Sequence, residues 1–122
     1  MIAYSELVID QVARGNTEVF TSSKLDDLLG SADDMTLEVE VEDTTGSPTS
    51  ITVRWYHSNS GKGFGLLATA ISADTAVQSL PYRALANQAG PMGKFGRVGV
   101  TLNGGTSPTA RVRVWVTGRT GG

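Results

Sequence analysis

His57 is the only histidine and the chain has no cysteine. A hydroxyl nucleophile would therefore have to find its base at one imidazole, a carboxylate or a lysine. His57 closes an alternating run in its inward phase, beside the turn Ser58-Asn59-Ser60-Gly61, where a histidine is expected to serve as a hydrogen-bonded structural residue. The acids Asp26, Asp27, Asp33, Asp34 and Asp43 could be read as oxygen ligands for a hard cation. A calcium loop, however, needs acids at alternate positions around a central glycine and ahead of a terminal glutamate. No such series runs from Asp26 to Asp34, and a helix cap with solvated acids is expected instead. Gly61-Lys62-Gly63-Phe64-Gly65 and Gly93-Lys94-Phe95-Gly96 resemble phosphate loops in composition only. Neither lysine is followed by serine or threonine, and neither run opens a helix. These residues imply no enzyme, no metal and no cofactor. Lys62, Phe64 and Lys94 remain candidates for contacts between subunits.

The stronger chemistry is one of charge and aromatic surface. Residues 1–43 carry eleven acids against Arg14 and Lys24, a net of −9, whereas residues 44–122 carry eight bases against Asp74, a net of +7. The overall −2 hides this division. Such a chain can neutralise itself inside one fold, or pair the acidic face of one copy with the basic face of the next. Arg97, Arg111 and Arg113 fall in the outward phase of their runs, as does Trp115. An interface built from them would face nucleic acid or an acidic neighbour, with Glu38, Glu40 and Glu42 as candidates for the acidic side; alternatively the same three glutamates, on another strand of the fold, would neutralise this sheet face. Pairing Val100 with Val112 would set Arg97 opposite Trp115, an arrangement suited to a cation–π contact.

Those side chains need strands to hold them. Met35, Leu37, Val39 and Val41 alternate with Thr36, Glu38, Glu40 and Glu42, the period of a half-buried strand. Ile51, Val53 and Trp55 alternate with Thr52, Arg54 and Tyr56 beyond a Gly46-Ser47-Pro48 turn, which predicts a hairpin of 35–42 with 51–57. A second hairpin is expected between 95–102 and 110–117 across Asn103–Pro108. Further strands are expected at 2–9, 17–22, 64–71 and 75–80. Ser23, the acids Asp26 and Asp27 and the closing Gly30 predict a short helix over 24–29, and a second helical turn is expected at 82–88. Ser47-Pro48-Thr49 and Ser107-Pro108-Thr109 precede Trp55 and Trp115 at equal offsets. Trp55 is in phase with its inward neighbours and Trp115 is out of phase with Val112, Val114 and Val116, so similar turn chemistry rather than a duplication is expected. About eight short strands with glycine-rich connections predict one all-β unit over 1–122: an antiparallel β-sandwich of jelly-roll type with one or two short connecting helices.

Val53-Arg54-Trp55-Tyr56-His57-Ser58-Asn59-Ser60-Gly61, followed by Phe64 and Leu66-Leu67-Ala68, resembles the strand–turn–strand element of discoidin-like β-sandwiches, with Asn59-Ser60-Gly61 in place of an Asp-Gly turn. The run from Gly96-Arg97-Val98 through Ser107-Pro108-Thr109 to Trp115 and Arg119 is similar to small structural β-sandwich proteins of bacterial viruses. The second resemblance implies a coat or decoration protein that assembles with itself, and with other particle proteins, in a virion or comparable particle. The first implies a carbohydrate- or surface-binding module with Tyr56, Trp115 and the loops near 57–65 and 90–96 as its recognition edge. Nucleic acid is a further partner that the basic C-terminal half would suit. The N-terminus lacks the basic start and apolar run of a secretory signal, and no stretch approaches the roughly 20 apolar residues of a membrane helix, so a soluble chain is expected.

Overall fold

The computed structural model describes residues 2–15, 17–30, 34–74, 82–89 and 94–120. The strands are β1 (Ile2–Arg14), β2 (Glu18–Phe20), β3 (Asp34–Thr45), β4 (Ser50–Ser58), β5 (Gly65–Asp74), β6 (Tyr82–Ala89), β7 (Phe95–Asn103) and β8 (Thr109–Thr120), with helix α1 (Asp26–Gly30) between β2 and β3. They form two antiparallel sheets in the orders β1-β8-β3-β6 and β2-β7-β4-β5. This is the jelly-roll order, and it confirms the all-β sandwich that the alternating runs predicted.

The alternation decides what is inside. Leu37, Val39 and Val41 of β3 and Val112, Val114 and Val116 of β8 are fully buried. They face Ile51, Val53 and Trp55 of β4 and Val98, Val100 and Leu102 of β7 in one continuous cluster. Burial of each such aliphatic side chain is worth about 1.5–3 kcal/mol, so the two central strand pairs supply most of the apolar driving force. Trp55 is the largest of these buried residues, and its indole Nε1 has no hydrogen-bond partner among the described residues.

Both predicted hairpins are corrected. β3 lies in one sheet and β4 in the other, and β7 and β8 are divided in the same way. The turn residues do reverse the chain, but they carry it across the sandwich instead of folding it back on its own sheet. Ser47 and Ser107 both have positive φ (53° and 43°) ahead of the buried Pro48 and Pro108. The two corners dock on each other: the Thr106 N–H donates to the Gly46 carbonyl at 2.9 Å. The alikeness of the two Ser-Pro-Thr runs is therefore that of two sheet-switching corners. β4 and β5 are the sequence-adjacent pair that does form a hairpin among the described strands, and this is the segment that resembles the discoidin-like element.

The helical turn expected at 82–88 is also corrected. β6 is a strand that pairs with β3 from Asp34↔Ala89 to Val41↔Tyr82. Its alanines, leucine and glutamine favour a helix locally, but the open edge of β3 offers eight paired positions, and tertiary pairing overrides propensity. The expected strand at 75–80 lies outside the described residues. β1 runs five residues past its expected end because a bulge between Leu7 and Ile9 inserts the buried Val8 and resets the alternation. The 24–29 helix is present as a 3₁₀ turn, Ser23–Leu25, leading into α1. Its cap is Ser22, whose Oγ accepts from the Lys24 N–H at 3.3 Å, one residue earlier than expected.

Candidate functional site

The eleven residues singled out from the sequence do not form one surface. They divide between the outer faces of the two sheets, on opposite sides of the sandwich.

On the β1-β8-β3-β6 face, Glu38, Glu40 and Glu42 point outward from β3 and Arg111, Arg113 and Trp115 from the adjacent β8. Because the acidic strand and the basic strand are neighbours, their charges meet within the chain. Arg113 Nη1 donates to Glu40 Oε1 at 2.9 Å and to Glu42, while its Nε lies 3.6 Å from Asp10. Glu42, then Glu40, hold the Arg113 guanidinium above its ordinary pKa by accepting those hydrogen bonds. Arg111 places Nε and Nη2 on Asp10 Oδ1 at 3.1 and 2.8 Å. Arg119 lies 3.9 Å from Asp34. Of the two ways to neutralise a divided chain, the fold uses the internal one. Arg97, Arg111 and Arg113 each hold a carboxylate, so a phosphate contact through any of them would have to displace an ion pair within the chain.

Trp115 keeps its outward phase and is half-buried. Its cross-strand neighbours are Leu7 of β1 and Glu38 of β3, and Glu38 in turn faces Leu85 of β6. One row therefore crosses all four strands. Beside it Trp115 joins Ser5, Thr36, Glu38, Leu85 and Thr117 in a hollow of about 390 Å³. The Thr117 hydroxyl lies 3.3 Å from the Ser5 hydroxyl, and the Thr36 hydroxyl donates to Asn87 Oδ1 at 2.9 Å. Glu38 makes no hydrogen bond or ion pair among the described residues.

The β2-β7-β4-β5 face gathers the rest. Arg97 is on β7, across the sandwich from Trp115, which corrects the expected pairing of the two. Its guanidinium lies 4.0 Å above the Phe64 ring, a cation–π contact with a different aromatic, and it grips Asp26 through Nε–Oδ1 (3.0 Å) and Nη2–Oδ2 (2.9 Å). That hydrogen bonding raises the Arg97 pKa, against a smaller opposing effect of burial. Asp26 is 7% exposed, so the expectation of a solvated cap does not hold for it. Asp27, Asp34 and Asp43 are exposed, and Asp33 lies outside the described residues. Among the described residues, no group of three or more His, Asp or Glu side chains is placed to hold a metal ion.

Tyr56 stands beside Arg97 in the register. Its hydroxyl donates to Glu18, 2.7 Å from Oε2 and 2.9 Å from Oε1, and its ring meets Phe20 edge-on at 5.7 Å. Burial first, then the Glu18 hydrogen bond and charge, raise the Tyr56 pKa. Gly99 makes this contact possible: a Cβ there would lie 2.3 Å from Glu18 Oε2 and 3.0 Å from the Tyr56 ring. Phe20 (45% exposed) and Leu66 (54%) extend the apolar area. Lys62 and Lys94 are exposed at one end of this sheet, with Lys94 Nζ 5.5 Å from the Phe95 ring. Glu18 and Phe20 were missed as site residues because a three-residue strand carries almost no periodic signal. His57 is half-buried at the end of β4, opposite Gly96 and Gly65.

No protein-family model matches the sequence, and no curated protein is similar to it. Solved structures are similar in fold. The chain is similar to the CBM22-1 xylan-binding domain from Paenibacillus barcinonensis Xyn10C, at TM-score 0.62 and 5% identity over 97% of each chain. It is similar to the capsid of cyanophage Pam1, at TM-score 0.53 and 19% identity, covering 98% of this chain and 86% of that one. It is also similar to a Bacillus endospore appendage described as forming disulfide-linked pili, at TM-score 0.50 and 17% identity, over 98% and 89%. The neighbours thus include a phage capsid and a pilus-forming appendage on one side and a xylan-binding domain on the other. At these identities the likeness establishes the fold. No helix among the described residues is long and apolar enough to cross a membrane.

Proposed function

We propose that the protein is a non-enzymatic structural subunit that assembles with copies of itself as a coat or decoration protein of a virus-like or shell-like particle. The observation that carries this reading is the outer face of the β2-β7-β4-β5 sheet. There Phe20, Tyr56, Leu66 and the Phe64–Arg97 stack lie together, with Lys62 and Lys94 at the rim. Aromatics and arginine at the centre with charge at the edge is the composition of an interface core and rim. The fold likeness to capsids and to an appendage protein supports the same role, although this cysteine-free chain cannot use disulfide links between subunits. Light scattering of the purified protein tests the proposal: a multimer is expected, and Leu66→Asp, an exposed substitution, should reduce it to a monomer without lowering the melting temperature. A wild-type protein that stays monomeric at high concentration overturns it.

A second reading, a carbohydrate- or surface-binding module, is favoured by one observation of its own, the hollow beside Trp115 on the opposite face. The fold likeness to a xylan-binding domain supports it.

A further inference from the structure

The outer face of the β1-β8-β3-β6 sheet is occupied by ion pairs at one end, from Asp10 and Arg111 to Arg113, Glu40 and Glu42. The pattern changes at the Trp115–Glu38 row. Between this row and the Arg119–Asp34 pair at the far end, the hollow is lined by an indole, a leucine, three hydroxyls and one carboxylate. Leu85 is 71% exposed, an unusual state for an aliphatic residue in mid-strand. Glu38 is half-buried between Trp115 and Leu85 in the register, with no arginine or hydroxyl engaged by its carboxylate among the described residues. A carboxylate that is partly desolvated and has no donor stands ready to accept hydrogen bonds from a ligand.

We infer that this hollow is a binding subsite for a neutral pyranose unit of a polysaccharide, a reading that rests on the second function proposed above. Each part of the lining answers to a part of such a ligand. An indole offers a rigid apolar surface with a negative π-face, suited to the polarised C–H face of a sugar ring. Ser5, Thr36 and Thr117 each present a hydroxyl that both donates and accepts, matching sugar hydroxyls. Glu38 accepts from hydroxyls and disfavours acidic or sulfated units through like charge. The volume, about 390 Å³, lies within the range of roughly 300–1,000 Å³ typical of small-molecule sites. Its position on the outer face of a sheet leaves it accessible to a ring in the middle of a chain. A quaternary ammonium ligand would also accept an aromatic and a carboxylate, but such cations are held by cages of several rings, and Trp115 is the one aromatic among the described residues that line this hollow.

Intrinsic tryptophan fluorescence of Trp55→Phe protein, in which Trp115 is the sole indole, reads the subsite directly. The titrants are xylohexaose, cellohexaose and laminarihexaose, with polygalacturonate and choline as charged comparisons. At least one neutral hexaose is expected to shift the emission saturably, and the charged probes are expected not to. Calorimetry on Trp115→Ala and on Leu85→Lys, the latter at an exposed position tolerant of charge, should show at least tenfold weaker binding of that hexaose. Glu38→Gln should weaken it severalfold, and Trp115→Phe should restore most of it. If a neutral saccharide binds wild type and all these variants equally, this subsite is wrong while the carbohydrate-binding reading stands. If no neutral saccharide binds wild type, both are overturned; saturable binding of choline alone replaces the ligand class and overturns this one.

Discussion

Trp55 and Trp115 follow the two Ser-Pro-Thr runs at the same offset, yet one is at the centre of the core and the other on a face. Their difference was legible because strand phase has period 2, and a residue either shares the parity of its buried neighbours or does not. Trp55→Ala is expected to cost about 3–5 kcal/mol by truncating the largest buried side chain, while Trp115→Ala should cost under about 1 kcal/mol. Denaturant titration of the two variants checks both. The Tyr56–Glu18 contact was not legible, because it depends on Gly99 leaving room between two residues of different strands. Since burial and Glu18 raise the Tyr56 pKa, its neutral phenol is the form the fold favours. The resulting stabilisation is present below the ordinary tyrosine pKa of about 10 and is lost as pH rises through the higher folded value. Tyr56→Phe should therefore be less stable than wild type by about 1 kcal/mol at pH 7, and the gap should narrow above pH 10. A gap constant from pH 7 to 11 would contradict this.

At the scale of elements, the alternating runs located seven strands among the described residues or their flanks, whereas their partners escaped the sequence. A Gly-Ser-Pro or Gly-Gly-Thr-Ser-Pro connection specifies a reversal but carries no information on which sheet receives the next strand. That choice is made where the corners dock, at Gly46 and Gly105. Gly105 has φ +69°, and a Cβ on it would lie 2.2 Å from the Gly46 carbonyl oxygen. Gly105→Ala should destabilise by at least 1–3 kcal/mol, roughly the cost of a strained backbone conformation, with steric displacement of the other corner added. Gly63, which has open space around it, provides the contrast: Gly63→Ala should fall within about 0.5 kcal/mol of wild type. Thermal melts that rank the two equally would remove the docked corners as an organising contact. β6 was read as helical because its residues are good helix formers, and only the open edge of β3 made it a strand.

For the molecule as a whole, the divided charge was the plainest signal in the sequence, and its use was the least legible. Eleven acids precede most of the bases along the chain, but β8 crosses back to lie between β1 and β3, so Arg111 and Arg113 reach Asp10, Glu40 and Glu42 in space. With those charges spent internally, assembly through the Phe20–Tyr56–Leu66 face should be nearly indifferent to salt. Raising sodium chloride from 0.1 to 1 M shortens the Debye length from about 10 to 3 Å; particle mass by light scattering should hold, and a collapse to monomers would show that charge carries the contact. The same placement of β8 has a consequence for biogenesis. β1 pairs along its whole length with β8, from Ile2↔Thr120 to Arg14↔Thr109, so within this sandwich the strand made first waits for the strand made last. Until β8 is in place, β1 and β3 lack the neighbour that joins them and each presents an unpaired edge, a period in which a holdase chaperone would find its binding sites.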